Sequence, residues 1–280
     1  MGALTIEQVI RVVQQVPSLS AAVHEILASF DKEDVEIAEL VQKLSHDQGL
    51  TARVLRVANS PFYGLSSKVG SVGEAVVVLG FHNVRSLVAA AGIINQFPVA
   101  EGKDGFDRLA FWQHGIGTGT CAQVLAKKLG RDQALAFTAG LLHDIGRLVL
   151  DVYFREDFTM AVARCTAEDV SLLDAERAEL GLDHGMVGYE LAHRWKFPPS
   201  IQQAIRDHHQ PEREPAALTD LVHVANTLCH ALDIGNSGNE IMPSLSSAAW
   251  TRLGLDWETM PALMAEIELQ YAGMHLLVSE

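Results

Sequence analysis

The amino-acid sequence predicts an all-α fold with two helical lobes, the first over residues 1–100 and the second over residues 101–280. Apolar residues recur at helical spacing along nearly the whole chain, beginning with the stripe within 6–13. We find no flanking apolar–polar alternation of the kind that predicts a half-buried strand. A segment rich in Pro, Gly and charge, 97–105, interrupts the helical pattern and is taken as the boundary between the lobes.

Local signals justify the helices of the first lobe in order. Pro17 follows the end of the first helix, Asp47 is a suitable cap for the fourth, and Pro61 disfavours helix in the residue before it. The acidic run 31–36 indicates a loop that enters a helix. The apolar faces of the predicted helices lie, in order, within residues 6–13, 20–27, 37–44, 50–57, 72–79 and 84–96.

The second lobe continues the helical periodicity as far as 235–247, a segment rich in Gly, Asn and Ser that predicts a mobile loop. The first predicted helix of the second lobe contains a glycine at every second position, namely Gly115, Gly117 and Gly119. Each of these glycines costs about 1 kcal/mol of helix propensity relative to Ala. Close packing of another helix is the expected compensation. The predicted helices cover residues 106–129, 132–142, 148–166, 171–180, 184–195, 199–208 and 217–232, and one or two more follow.

Composition restricts the possible classes of function. The 280 residues are 48% hydrophobic and 20% charged, as in ordinary globular proteins, and carry a formal net charge of −14 that makes nucleic acid a poor partner. No apolar run approaches the roughly 20 residues that span a bilayer, and no secretory signal begins the chain, so we expect a cytoplasmic protein. Cys121, Cys165 and Cys229 form no CxxC pair and are interpreted as small buried apolar residues.

Candidate functional residues are found among the twelve histidines. His143 and Asp144 follow an apolar helix and precede Gly146, which predicts an imidazole and a carboxylate in the core, able to hold one or two cations. A buried hydrogen bond between them, with no metal, is the alternative. His114 lies on an inward stripe, where a core role would explain it alone. His184 opens a predicted helix, where a surface position in the first turn is the alternative.

The remaining candidates lie near the ends and on one face of later helices. His208 and His209 end their predicted helix, where the helix dipole favours imidazolium and offers a purely structural explanation. His223, Asn226 and His230 are spaced by three and four residues and therefore share a helix face. Each signal is weak when taken alone. Together they form an ordered series of His, His-Asp, His, His-His and Asn within one lobe, and this order favours a shared functional site over separate structural roles.

Several motifs resemble the HDOD family of signalling proteins. They are VPSLSAAVHEIL, LTARVLRVANSPFYG, VVLGFHNVRSL, LLHDIGRLVL and the stretch from DHGMVGYELAHRWKFPPSIQQAIRDHHQP to HVANTL, in this order over residues 10–235. ANSPFYG is the most specific, because the catalytic relatives lack it, and its Phe62 and Tyr63 are expected to be anchored against apolar neighbours. The resemblance implies a bacterial signal-transduction module, here standing alone, whose C-terminal lobe is similar to the HD phosphohydrolase core.

The resemblance also implies metal ligands. The catalytic HD superfamily holds metal with a His, a His-Asp doublet and a distal Asp, and the HD-GYP relatives, which hydrolyse cyclic di-GMP, add a His and a His-His pair. In the same order, these positions match His114, His143, Asp144, Asn226, His184, His208 and His209. Asn226 thus replaces the distal Asp, Arg147 replaces the Lys of the HDIGK form, and the GYP element after the His-His pair is absent.

These departures set the expected function. The carbonyl of Asn226 can still coordinate a cation, and the histidine-rich set favours a transition metal such as iron, manganese, zinc or nickel. We expect a regulatory protein with a degenerate, metal-binding HD-type site, no robust catalysis, and signalling proteins or a nucleotide-type ligand as partners. The alternative is a metal-dependent phosphohydrolase or phosphodiesterase acting on a nucleotide or cyclic dinucleotide, with His143 and Asp144 as candidate catalytic residues. The oligomeric state stays open.

Overall fold

A computed structural model describes residues 3–29, 37–60, 68–97, 106–235, 241–274 and 277 of the chain. Helix accounts for 72% of the described residues and none of them lies in a strand, which confirms the all-α prediction. Phe62, Tyr63, the acidic run 31–36 and most of the predicted boundary segment fall outside the described ranges, so the expectations for them stay predictions. Within the described ranges, no helix combines the length and apolarity needed to cross a bilayer.

Sixteen helices are defined within these ranges. The first six are α1 (Ile6–Val13), α2 (Ala21–Ala28), α3 (Ile37–Ser45), α4 (Gln48–Ala58), α5 (Val72–Leu79) and α6 (Phe81–Ile94). The others are α7 (Arg108–Lys128), α8 (Gln133–Leu142), α9 (Gly146–Tyr153), α10 (Arg155–Glu168), α11 (Leu172–Leu180), α12 (His184–Arg194), α13 (Pro199–Asp207), α14 (Ala217–Ala231), α15 (Ser247–Leu253) and α16 (Met260–Met274).

Side-chain caps explain where many of these helices begin. Thr5 and Gln8 form a reciprocal capping box at α1, and the predicted cap Asp47 accepts the backbone N–H of Leu50 at 3.0 Å. Ser or Asp caps of the same kind precede α2, α5, α7, α8, α11, α12 and α15. Each such cap satisfies a backbone donor that the helix itself leaves without a partner.

Two differences from the predicted helix boundaries exceed two residues. The single helix predicted over 148–166 is divided at Phe154, whose φ of −128° and ψ of 39° interrupt the helical path. The break lets α9 pack on α12 while α10 turns to pack on α11, which one straight helix could not do. Helix α6 begins three residues before the predicted 84–96, because Gly80 adopts a φ of +83° and turns the chain directly from α5 into α6.

A continuous hydrophobic core joins the N-terminal helices α1–α6 to α7, α8, α9, α12 and α13. Two indole groups of the later helices form hydrogen bonds with residues of the N-terminal part of the chain. Trp112 donates its N–H to the Phe97 carbonyl, and Trp195 donates its N–H to the Pro17 carbonyl, each at 3.2 Å. A second core lies among α7, α14, α15 and α16. The predicted division at residues 100 and 101 falls within the undescribed part of the chain and stays a prediction.

Glycines bring α7 into backbone contact with α8, as the alternating Gly pattern predicted. A Cβ on Gly115 would lie 2.8 Å from the Leu141 carbonyl oxygen, and one on Gly119 would lie 2.8 Å from that of Phe137. Gly117 faces α14 and the residues after it instead. The helix-propensity cost of these glycines is therefore offset by interhelical packing, which sets α7 directly against the end of α8.

Candidate metal centre

The structure brings together all the ligands that the sequence analysis proposed. Their side chains project from α7, from the turn between α8 and α9, from α12, from the end of α13 and from α14. All are buried except His209, which is half-buried. The set consists of His114, His143, Asp144, His184, His208, His209 and Asn226.

A glycine next to the His-Asp doublet allows this convergence. Gly146 begins α9, and a Cβ there would lie 2.0 Å from the His184 carbonyl oxygen and 2.6 Å from the Gly188 nitrogen. The backbones of α9 and α12 can meet this closely only because residue 146 has no side chain. Their contact places the His184 ring, which is 0% exposed, over the Asp144 carboxylate. The surface position considered for His184 is therefore wrong.

One group of potential ligands surrounds the first carboxylate oxygen of Asp144. Its Oδ1 lies 3.0 Å from His184 Nε2 and 3.3 Å from His208 Nε2. His209 Nε2 lies 3.0 Å from His184 Nε2 and completes the group. One ligand atom from each of these four residues lies within 4.8 Å of the other three.

A second group faces the other oxygen of the same carboxylate. Asp144 Oδ2 lies 3.4 Å from His143 Nε2, and one ligand atom each from His114, His143 and Asp144 fall within 4.8 Å of one another. Asn226 Oδ1 is 3.0 Å from His114 Nε2, so its carbonyl borders this group. Asp144 therefore belongs to both groups and offers a different oxygen to each.

Hydrogen bonds at Nδ1 orient three of the imidazoles. The Nδ1–H of His143 donates to the Gly140 carbonyl at 2.7 Å, and that of His208 donates to the Ile205 carbonyl at 2.9 Å. His184 Nδ1 donates to the carboxylate of Glu176 at 2.6 Å. Because these oxygens only accept, each ring is oriented with Nε2 toward the interior of the cluster, as a metal-ligating histidine must be.

Several atoms at the centre of the cluster lack the partners that buried polar atoms normally have. Among the described residues, His143 Nε2 and His208 Nε2 are buried and have no hydrogen-bond partner. The two carboxylate oxygens of Asp144 lie within ion-pair distance of His184 and Arg147 but accept no hydrogen bond of good geometry. Each such atom costs about 1–3 kcal/mol if it stays unsatisfied. Two ligand atoms that each lie about 2.1 Å from the same ion are separated from one another by roughly 3 Å. The distances between potential ligand atoms within both groups are close to this value. The residues fit metal ions, and their nitrogen content favours transition metals.

The charges around Asp144 hold two of the ligands in the protonation state that metal binding needs. Burial opposes ionisation of Asp144, but Arg147, His143 and His184 outweigh it and hold its pKa well below the usual range. Burial, with His208 and His114 nearby, lowers the pKa of His143 and keeps it neutral. Burial would also lower the pKa of His184, but Glu176 and Asp144 raise it to about 10. An incoming ion must therefore displace the proton of His184.

A cleft of about 500 Å³ opens onto the cluster. Arg147, His209 and Asn226 line its inner end, and Arg147 Nη1 lies 2.9 Å from Asp144 Oδ2. Segments 169–174 and 241–244 form part of its walls. The cleft therefore joins the candidate metal centre to the surface and places a guanidinium where a ligand would meet the ions.

The histidines outside the two groups hold the surroundings of the cluster in place. His223 donates from Nδ1 to the His208 carbonyl at 2.7 Å, and its Nε2 accepts the Ser246 backbone N–H at 2.9 Å. The His230 ring packs against His114 with their centroids 4.7 Å apart. Both histidines line the cleft together with Asn226, in agreement with the shared helix face that their spacing predicted.

Two residues of the site were missed by the sequence analysis. Glu176 is fully buried and accepts both the Nδ1–H and the backbone N–H of His184. An acidic residue midway between Leu172 and Leu180, at helical spacing on an apolar stripe, was an available signal. Cys229 was interpreted only as a small buried residue. It is buried, as are the other two cysteines, but its sulfur also lies 3.6 Å from His114 Nδ1.

Comparisons with known proteins identify the family. An uncharacterised protein of Treponema pallidum is 28% identical over 244 residues, which cover 84% of this chain and 46% of the relative. Ribonuclease Y 1 of Pediococcus pentosaceus is 27% identical over 210 residues, which cover 74% of this chain and 34% of the relative. The chain thus spans less than half the length of these two curated relatives.

Solved structures support the same fold. A protein of Shewanella amazonensis, described provisionally as a phosphohydrolase, is 29% identical with a TM-score of 0.78, and the match covers 97% of this chain and 98% of that one. The family model of the HDOD domain matches residues 16–211, which is more than half of the chain. The chain therefore belongs to the HDOD domain family.

Proposed function

We propose that this chain is a bacterial signal-transduction protein whose HD-type site holds transition-metal ions and binds an anionic, nucleotide-type ligand in the adjoining cleft, without robust turnover. The observation that carries the proposal is the shared carboxylate of Asp144, whose two buried oxygens each face a separate group of imidazoles. Membership of the HDOD family supports the signalling role.

The two ligand groups define two positions for ions. His184, His208, His209 and Oδ1 of Asp144 would hold one ion, and His114, His143, Asn226 and Oδ2 of Asp144 would hold the other. Bound ions supply Lewis acidity toward a phosphoryl group. The chain itself orients the imidazoles through Glu176 and backbone carbonyls, and it holds Asp144 ionised through Arg147.

The charge balance of the centre favours an anionic ligand. Asp144 is the only carboxylate among the described members of the two groups, so two divalent ions bring four positive charges against one negative charge. The Glu176 carboxylate, which lies behind His184, offsets part of this excess positive charge. The Arg147 guanidinium at the inner end of the cleft adds further positive charge. A loaded centre is thus locally positive within a chain whose formal net charge is −14.

Two substitutions relative to the catalytic pattern argue against strong turnover. Asn226 offers an amide oxygen in place of a carboxylate, which weakens the hold on a divalent ion in the group of His114 and His143. Arg147 forms an ion pair with Oδ2 of Asp144, the oxygen that this group needs. Both effects weaken the same position and leave the group of His184 intact.

A metal-dependent phosphohydrolase or phosphodiesterase is the second candidate, and Arg147 favours it. Its guanidinium lies at the inner end of the cleft beside both ligand groups, where it can bind a phosphate as well as Asp144. Relatives named as a phosphohydrolase and as ribonuclease Y are consistent with phosphoester chemistry on this fold.

Metal analysis combined with a hydrolysis panel tests both candidates. Protein purified without chelator is expected to contain transition metal, and His143→Ala is expected to lose it, whereas the exposed His193 provides His193→Ala as a matched control that keeps it. The panel contains nucleotides, cyclic dinucleotides and a short oligoribonucleotide, with added manganese or iron. A wild-type protein that takes up no metal contradicts the proposal. Turnover that His143→Ala abolishes establishes the enzyme instead.

Ligand binding is measured separately from turnover. Titration calorimetry with a mononucleotide and a cyclic dinucleotide is expected to detect binding to the metal-loaded protein and much weaker binding after chelation. The cleft variant Arg147→Met tests the location, because Arg147 lines its inner end. Equal affinity with and without metal would show that the ligand binds elsewhere.

A further inference from the structure

A buried sulfur lies behind His114, on the side away from the ligand cluster. Cys229 of α14 is 0% exposed, and its Sγ is 3.6 Å from His114 Nδ1. Gly117 makes room for it, because a Cβ at that position would lie 2.7 Å from the sulfur. The close approach of α14 to α7 at Gly117 thus brings a thiol to a candidate metal ligand.

This partner differs in kind from those of the other oriented rings. His143 and His208 donate to backbone carbonyls and His184 donates to the Glu176 carboxylate, and these oxygens only accept hydrogen bonds. Those rings are therefore held with the proton on Nδ1. A thiol both donates and accepts, so Cys229 can serve either tautomer of His114.

The contact between Nε2 of His114 and Asn226 distinguishes the two tautomers. His114 Nε2 lies 3.0 Å from the amide oxygen of Asn226, and this oxygen would accept a hydrogen bond from the ring only if the proton is on Nε2. Nδ1 then bears a lone pair and accepts the S–H of Cys229. An ion held on Nε2 would require the ring proton on Nδ1, and the sulfur would then accept a hydrogen bond from this Nδ1–H.

The thiol proton has acceptors in the second arrangement as well. The carbonyl oxygens of His114 and Ile234 are each 3.6 Å from Cys229 Sγ, so rotation about the Cβ–Sγ bond redirects the S–H without moving the backbone. The S–H of Cys229 and the ring N–H of His114 therefore each have an acceptor in both tautomers of His114. Buried donors need such acceptors, because water does not supply them.

We propose that Cys229 is the positioning residue that allows His114 to change tautomer when metal binds. The inference rests on the proposed metal centre and concerns only the position shared by His114, His143 and Asn226. At the other position, His184 and His208 already hold a proton on Nδ1 through their hydrogen bonds. Loading of the two positions therefore depends on Cys229 unequally.

Metal titrations of Cys229 variants test the inference. Cobalt(II) and zinc are titrated into wild type, Cys229→Ala and Cys229→Ser against a competing chelator, and Cys165→Ala, a buried cysteine of α10, is the matched control. Cys229→Ala is expected to lose about 10–100-fold in affinity at one of two positions, as is usual when a ligand loses its outer partner. Cys229→Ser, which keeps a donor and acceptor, is expected to recover part of the loss. Cys165→Ala is expected to match wild type.

Nitrogen-15 NMR of the histidine rings gives a readout that a merely structural role of Cys229 would not change. In wild type, His114 is expected to carry its proton on Nε2 without metal and on Nδ1 after zinc is added. A proton on Nδ1 before zinc is added overturns the inference, as do two unaltered affinities in Cys229→Ala. If wild type takes up no metal, the proposed function fails. If it takes up two ions and Cys229→Ala binds both with the same affinities as wild type, only this inference fails.

Discussion

Replacement of Gly146 by alanine tests how the contact between α9 and α12 builds the centre. The new Cβ would lie 2.0 Å from the His184 carbonyl oxygen and 2.6 Å from the Gly188 nitrogen. Both are backbone atoms, so no side-chain rotation relieves the overlap. The two helices must separate, and His184 Nε2, now 3.0 Å from Asp144 Oδ1, must move with α12.

The size of the effect follows from the distances. An ordinary contact begins near 3.4 Å, so the His184 carbonyl must recede by about 1.4 Å from the new methyl group. Overpacking of this kind typically lowers the free energy of unfolding by about 1–3 kcal/mol. At 2–4 °C per kcal/mol for chains of this order of size, the melting temperature falls by roughly 2–12 °C. The same displacement takes His184 out of reach of an ion that is also bound by Asp144.

Thermal unfolding and metal analysis of Gly146→Ala are measured together. We expect a lower melting temperature and loss of the ion at the position of His184, His208 and His209. Gly73→Ala is the matched control, because its Cβ would lie 3.7 Å from Val41 Cγ1, which is an ordinary contact, and because it lies in α5, away from the centre. An unchanged melting temperature with full metal content in Gly146→Ala would refute the proposed geometry.

Three further predictions concern the ligand groups. Glu176→Gln is expected to weaken metal binding by about 10–100-fold in chelator competition, because His184 loses its anionic partner. The control Glu179→Gln, which removes the ion pair with Arg164, is expected to leave metal affinity unchanged, and equal losses in the two variants would contradict the role of Glu176. Asn226→Asp adds a carboxylate beside His114 and is expected to tighten uptake of the second ion in calorimetry, an expectation that unaltered affinity would exclude. Chelation is expected to lower the melting temperature, since an ion at 100 times its Kd contributes about 2.7 kcal/mol; identical melting curves would rule out a bound metal in the purified protein.

The helices could be predicted from the sequence because their apolar stripes and caps are local signals. Asp47 and the stripe of α1 show this, since the cap and the buried face are found where the pattern indicates. The break at Phe154 could not be predicted, because no Pro or Gly marks it and its cause is the separate packing of α9 and α10 on different helices. Glu156 and Asp157 in the first turn of α10 were a weak local indication of a new helix start.

The convergence of the candidate ligands was predictable for a different reason. Each histidine alone had a structural explanation, and only the ordered series through the family resemblance joined His114 to His143 and His208. Glu176 and Cys229 belong to no such series, and they reach the cluster through contacts between helices that the sequence does not encode locally. Residues that orient ligands are therefore harder to predict than the ligands, because many side chains can accept the same Nδ1–H.

The distribution of charge connects the proposed ligand with the partners that the chain disfavours. The formal net charge of −14 repels extended polyanions, whose many phosphates must approach the whole surface. A small anion would pass Asp169 and Asp174 in the cleft walls, but at the inner end it would meet Arg147 and the proposed ions. Loss of the carboxylate at position 226 increases this local positive charge, since it removes one of the groups that would neutralise the ions. The substitution that weakens the case for catalysis thus strengthens the case for binding a nucleotide-sized anion.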